Sequence, residues 1–332
     1  MRPNIFSYAT KELALDAALC WLLAWADPRY ATGAPGMNGV ARELINLCLA
    51  RARRPPIDVE TIEVGRQANN IDVWAVVNGR LPVVIENKTG TREHSDQLER
   101  YRDAAEAWGL QEKPLLVYVQ TGFQGDYGAV KKAGYVVVRR RDLAALTSSP
   151  TAAQAVTESC VFGELAAHFQ VLDHAARAYE HIPIAAWAGG SAWLGFFEEL
   201  QARLGDGGYD WVPYAGEFYG FWWGGGKDFD GVEPYLQLEQ DKLCVKIAVT
   251  PEDAESRKRA RAEWSQYVIS FAQQRGLELA RPGRFGLGEY MTVAVLPGDY
   301  RVTRPDGLLD LERTFERLGT ITRVLKEAVA AK

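Results

Sequence analysis

Between Ile71 and Gly90 the chain reads IDVWAVVNGRLPVVIENKTG, an apolar stretch that nonetheless holds two carboxylates and an ammonium. Asp72 is followed after thirteen residues by Glu86, and Lys88 stands two places further on. Two bare carboxylates held together repel each other unless one keeps its proton or a cation neutralises them. Oxygen-rich sites of this kind suit hard ions such as Mg²⁺ or Mn²⁺, which retain several waters and bind phosphates. An ammonium beside them can orient or help deprotonate a water, or stabilise charge growing on a phosphoryl group.

Whether the carboxylates meet depends on register. The stretch reads as two strands around Asn78-Gly79, and alternate strand residues face the same way. A two-residue turn pairs Val77 with Arg80 and sends Asp72 and Glu86 to opposite faces, because a one-residue slip flips every side chain. A three-residue loop of Asn78, Gly79 and Arg80 pairs Val77 with Leu81, Ala75 with Val83 and Val73 with Ile85. That register makes one continuous apolar face and sets Asp72 opposite Glu86, with Cβ atoms roughly 5 Å apart. The three-residue loop is therefore predicted, despite the strength of Asn-Gly as a two-residue turn signal.

The elements around this hairpin follow from periodicity. Helical spacing runs from about Thr10 to Trp25 and from Val40 to Arg53, with a Gly/Pro-rich loop between them. A strand is expected over Val59 to Val64, then the hairpin, a helix over Arg92 to Trp108, and short strands at Leu115 to Gln120 and Tyr135 to Arg139 separated by one helical turn. The order predicts an α/β domain with a mixed sheet.

Asp72, thirteen residues, then Glu86-x-Lys88 on the second and third strands of such a domain resembles the active-site motif of the PD-(D/E)XK nuclease superfamily. Ile71 stands where the motif's name has proline. Gln97 and Tyr101 resemble the Q-x-x-x-Y helix of one branch; four residues apart, they share a helical face. The opening helix from Glu12 resembles the leading helix of a bacterial branch. The resemblance covers about residues 5–145. It implies a restriction-endonuclease-like mixed sheet flanked by helices, and hydrolysis of phosphodiester bonds by water. It also implies a divalent metal, Mg²⁺ or Mn²⁺, held by Asp72, Glu86 and the backbone carbonyl of Asn87. Lys88 and Gln97 are the further catalytic candidates. Glu12 is the first choice for the helix-borne glutamate and Glu43 the second. Nucleic-acid contact is assigned to Tyr101, Arg139, Arg140 and Arg141. DNA is expected ahead of RNA, although no residue identifies a reader of the 2′-hydroxyl. The rival reading is a catalytically silent module of the same fold that binds nucleic acid or a protein.

The remaining features bound the answer. The chain has 332 residues, 47% hydrophobic and 24% charged, with a net charge of −5. A protein that merely coats nucleic acid is usually basic overall, so polyanion contact has to come from a local basic face. The four cysteines show no metal or disulfide spacing, no run is long enough to span a bilayer, and no signal peptide opens the chain; a cytoplasmic location is the expectation. His94, His168, His174 and His181 lack ligand spacing. GFWWGGGKD, from Gly220 to Asp228, fails the phosphate-loop pattern. Arg139 to Arg141 and the run from Ser256 to Trp264 are basic. Domains are expected at 1–150, a helical connector at 151–185, and an α+β domain at 186–332 that recognises substrate, a protein partner or a signal, or pairs two copies of the chain. Its expected strands include Tyr214 to Trp223, Tyr235 to Glu239, Leu243 to Val249, Tyr290 to Leu296 and Tyr300 to Val302. By analogy, two-part chains of this kind belong to bacterial restriction and phage defence.

Overall fold

The structure, a computed structural model, describes residues 3–68, 71–91, 96–213, 217–225, 229, 231–250 and 253–332. His94, the expected helix start at Arg92, the strand start at Tyr214 and the Lys227-Asp228 pair lie outside the described residues. The chain divides into two compact units between Ala175 and Ala176.

The first unit runs α1 (Glu12–Ala24), α2 (Pro35–Arg51), β1 (Ile62–Ala68), β2 (Ile71–Val77), β3 (Leu81–Lys88), α3 (Gln97–Glu106), β4 (Leu115–Gln120), α4 (Gly128–Lys132), β5 (Val136–Arg139), α5 (Arg140–Leu146), α6 (Pro150–Glu158) and α7 (Cys160–Ala176). Its sheet is ordered β1-β2-β3-β4-β5. The hairpin strands β1 to β3 pair antiparallel, whereas β3, β4 and β5 are parallel because α3 and α4 carry the chain back between them. The mixed α/β architecture inferred from element order is borne out. Val73, Ala75, Val77, Val83 and Ile85 join Leu15, Leu19 and Leu22 of α1 and Val40 and Leu44 of α2 in one core. Val84, Leu116 and Tyr118 pack with Leu98 and Tyr101 of α3 in another. The helices α6 and α7 add Ala152, Ala155, Phe162, Leu165 and Phe169 to the first core, so the segment expected as a connector supplies core residues.

Register is set at the β2–β3 turn. Val77 pairs with Leu81, Ala75 with Val83 and Val73 with Ile85, the pairing of a three-residue loop. Asn78 and Gly79 both have left-handed φ, 54° and 62°. The Asn78 side chain accepts from the backbone N–H groups of Glu60 (2.8 Å) and Thr61 (3.1 Å) and donates to the Asp58 carbonyl (2.8 Å). Fastened in this way, the loop matches its side chain to the segment before β1 as well as to the hairpin twist.

Two elements in this unit depart from the expected bounds: β1 spans Ile62–Ala68 where a strand over Val59 to Val64 is expected, and α2 starts before Val40. The helix α2 begins at Pro35, inside the segment predicted as loop. Pro35 suits the first turn, where its missing N–H costs nothing. Gly36 is there because α6 comes so close that an added Cβ would lie 2.5 Å from the Ala155 backbone nitrogen.

The second unit contains α8 (Ala178–His181), α9 (Gly190–Leu204), β6 (Gly208–Val212), β7 (Phe218–Trp223), β8 (Val232–Glu239), β9 (Lys242–Val249), α10 (Ala254–Gln273), β10 (Tyr290–Val295) and α11 (Leu311–Ala331). Its sheet is an antiparallel meander, β10-β9-β8-β7-β6. The strand β6 was not predicted, since Gly207-Gly208 reads as a turn. The strand predicted at Tyr300 to Val302 is absent: the Arg301 N–H and guanidinium both turn back onto Asp299, at 2.9 and 2.7 Å, and Tyr300 is wholly buried.

Candidate active site

The ladder from Val77↔Leu81 to Val73↔Ile85, extended by one residue, sets Asp72 opposite Glu86. The two acids interact, and Asp72 raises the pKa of Glu86. Glu86 has no exposed surface and Lys88 is 5% exposed. The Lys88 Nζ lies 2.6 Å from Glu86 Oε1 and 3.6 Å from Glu12 Oε2. The Glu86 contact has the length of an ion pair but not the alignment of a hydrogen bond. Among the described residues, neither Glu86 oxygen has a well-aligned donor, and nor does the buried Asn87 Oδ1.

Burial is the main force on the Glu86 carboxyl; with Asp72 beside it, and against the pull of Lys88, the pKa is pushed up to about 8. Burial opposes the charge on Lys88, yet the surrounding acids Glu86, Glu12 and Asp72 outweigh it and hold the ammonium above its ordinary value.

The helix α1 reaches this end of the sheet through its first turn. Glu12 accepts from the Thr89 N–H at 3.3 Å and from the Thr91 hydroxyl, which ties the strand end after β3 to the helix start. One turn on, Asp16 is 4% exposed. The Asn87 amide donates to the Asp16 carboxylate and to the Glu12 carbonyl, both at 3.2 Å. Burial first, then Asp72, lifts Asp16 to about 6. Asp16 interrupts the apolar run of α1. The available signal was its spacing, four residues from Glu12 and so on the same helical face.

The loops after the parallel strands are pressed together. The Thr121 N–H donates to the Lys88 carbonyl at 3.0 Å. Gly122 lies so near that a Cβ would meet the Thr89 carbonyl oxygen at 1.7 Å. Beneath them Gln120 donates to Gln124 Oε1 (2.9 Å) and accepts from the Gly122 N–H (3.0 Å), and Tyr118 donates to the same Gln124 oxygen (2.9 Å). Both glutamines are buried. This polar plug under the strand ends had no sequence signal beyond two glutamines four apart.

The other candidates fall in different places. Gln97 donates from Nε2 to the Tyr101 hydroxyl at 2.9 Å. Tyr101 is 5% exposed and packed in the α3 core, so the assignment of its ring to nucleic-acid contact is corrected. Its hydroxyl feels Glu86 and Asp72 electrostatically. Arg140 is likewise corrected: it is buried, donates to the Gly122 carbonyl at 2.7 Å and covers the Phe123 ring. Arg139 is half-buried with its guanidinium over Tyr127, and Arg141 is exposed. Glu43, the second-choice glutamate, is instead bonded by the hydroxyls of Ser149 and Thr151 and anchors α2 to the start of α6. His168 packs against Phe6, with its pKa lowered by burial.

All donors at the cluster are oxygens. Among the described residues, no group of three or more His, Cys, Asp or Glu side chains is drawn together as a metal cluster. Carboxylates supplemented by a carbonyl and waters are the donor set that Mg²⁺ accepts. No described helix is long and apolar enough to cross a membrane. No curated protein and no solved structure matches the chain. Residues 19–121, which span the hairpin, α3 and β4, match the family model of the PD-(D/E)XK nuclease superfamily, so it is to this superfamily that this part of the chain is similar.

Proposed function

We propose that the N-terminal unit is a metal-dependent nuclease that hydrolyses phosphodiester bonds in DNA by attack of water. The superfamily match supports nuclease chemistry, and nucleases of this kind typically use divalent metals. The observation that carries the reading is the interaction of Asp72 with Glu86, beyond the Val73↔Ile85 end of the ladder, with the Lys88 ammonium 2.6 Å from the latter.

The fit to a hard cation rests on two buried Glu86 oxygens without aligned donors and on an all-oxygen donor set. Asp72, Glu86 and the Asn87 carbonyl would hold Mg²⁺ or Mn²⁺, which when bound supplies Lewis-acid polarisation of the phosphate and a lowered water pKa. Lys88, whose charge the surrounding acids favour, stabilises negative charge building on the phosphoryl oxygens and orients water. Glu12 steers Lys88 from the helix side. Asp16 grips the Asn87 side chain and thereby fixes the strand end. Gln97 and Tyr101 brace the α3 side of the site. Arg141, exposed beyond β5, is assigned to the phosphate backbone.

Cleavage of plasmid DNA in Mg²⁺ or Mn²⁺ tests the reading. Wild type is expected to cut, and Asp72→Ala and Lys88→Ala each to lose on the order of 10² or more in rate. Cutting that survives both substitutions rejects the site. Wild-type protein that binds DNA without cutting it favours the silent binding module.

A further inference from the structure

The second unit carries a cation cluster that plays no part in the chemistry above. Arg257, Lys258, Arg259 and Arg261 lie on the first turns of α10, ahead of the buried Trp264, Val268 and Phe271. Arg281 and Arg284 lie in the segment between α10 and β10 and are exposed. The two sets meet at Phe285. Its ring has the Arg261 guanidinium at 4.7 Å and that of Arg281 at 4.4 Å, and Arg261 also donates to the Gly286 carbonyl. Helix and loop cations are thereby fixed as one surface on a chain whose net charge is −5. Acids balance the start of the helix, with Glu255 3.4 Å from Lys258, Asp253 acting on Arg259 and Glu263 two residues after Arg261, and Glu278 and Glu289 flank the loop, so the cations the surface rests on are Arg261, Arg281 and Arg284 around Phe285.

A second observation points to a close-approaching ligand. Gly283, Gly286 and Gly288 punctuate the loop, yet a Cβ at any of them would meet nothing within 4 Å. None has a left-handed φ. Bare backbone at these positions leaves room for a partner to approach closely. Leu287 (48% exposed) and Tyr290 (61%) flank the same arginines. Two scattered apolar side chains offer too little buried area to hold a membrane. Planar guanidinium groups beside aromatic rings are instead suited to phosphate and to stacked bases.

We propose that this α10–loop surface of the second unit binds the phosphate backbone of a nucleic acid. The choice of polyanion rests on the nuclease reading of the first unit. Each arginine acts mainly through charge, and release of counterions makes the affinity fall with salt.

The full chain in EDTA, titrated against short labelled DNA and RNA duplexes of one sequence by fluorescence anisotropy, tests this. Over about 50 to 200 mM salt, an Arg281→Ala/Arg284→Ala variant is expected to bind roughly ten-fold more weakly and to lose about two from the slope of log K against log salt. Arg281→Lys/Arg284→Lys keeps the charge and is expected to keep the slope, which separates lost contacts from lost fold. Hydrolysis of bis(p-nitrophenyl) phosphate, too small to reach the surface, is expected to be equal in all three. Unchanged affinity and slope in the alanine variant overturn the proposal, as does binding to phosphatidylserine vesicles with none to either duplex. Failure of the nuclease reading is a separate result: no metal-dependent cutting by wild type, with the arginine-dependent slope intact.

Discussion

Glu86 sits without solvent beside a second acid, and the cost of ionising it there sets a pH dependence for the metal-free protein. Its pKa is raised from 4.5 unfolded to about 8 folded, chiefly by burial. Asp16 rises from 3.8 to about 6 for the same reason. A raised acid binds more protons folded than unfolded, so stability falls as pH climbs between the two values. In EDTA the melting temperature of the first unit is expected to fall from pH 4 to 8. Between about 6.5 and 8 the remaining slope belongs to Glu86, since Asp16 has by then titrated and His168, lowered by burial and acting in the opposite sense, has too. Glu86→Gln is expected to flatten that upper part, each pKa unit being worth about 1.4 kcal/mol. A melting temperature that rises across about pH 6.5 to 8, or a slope kept by Glu86→Gln, contradicts this. Asp16 explains why single residues were only partly legible. Asp72, Glu86 and Lys88 announced themselves as charges in an apolar ribbon. Asp16 lay in a helix whose apolar neighbours pack in the core, where one acid reads as a solvated edge.

The strands and helices around those residues were legible where side-chain alternation decides them. Choosing the register that keeps Val73, Ala75 and Val77 with Val83 and Ile85 on one face gave the pairing observed, against the local Asn-Gly signal. Removing Arg80 would leave that two-residue turn, slip β3 by one place and send Asp72 and Glu86 to opposite faces. Such a variant is expected to lose cleavage along with stability; retained cleavage would mean that the opposed acids are not the site. Elements set by close backbone approach were not legible. The glycines of α2 read as a loop because nothing in sequence announces α6 pressing on Gly36. Gly122 is the parallel case at the site. With its Cβ aimed at the Thr89 carbonyl oxygen, Gly122→Ala is expected to cost roughly 3 kcal/mol, read by urea denaturation, and to push the β3 and β4 loops apart. A cost below about 1 kcal/mol would show that the loops part freely.

At the scale of the whole molecule, the two units each hold one sheet, and the proposed metal chemistry and the proposed cation surface fall in different units. The sequence motif spoke only for the first; the meander of the second carries no residue pattern tied to a chemistry, and its cation surface forms only when α10 and the Phe285 loop meet. Units that bury their own cores unfold as their own transitions unless a large interface couples them. Calorimetry of the full chain is therefore expected to resolve two transitions. Because an ion that binds only the native state stabilises by mass action, Mn²⁺ at about 100 times its dissociation constant adds roughly 2.7 kcal/mol. That raises the first unit's transition by about 5–10 °C and leaves the second in place. Asp72→Ala is expected to abolish the shift while both transitions remain. A shift in the second transition, or one that Asp72→Ala does not touch, would place the ion outside the β2–β3 hairpin, and with it the chemistry assigned to Glu86 and Lys88.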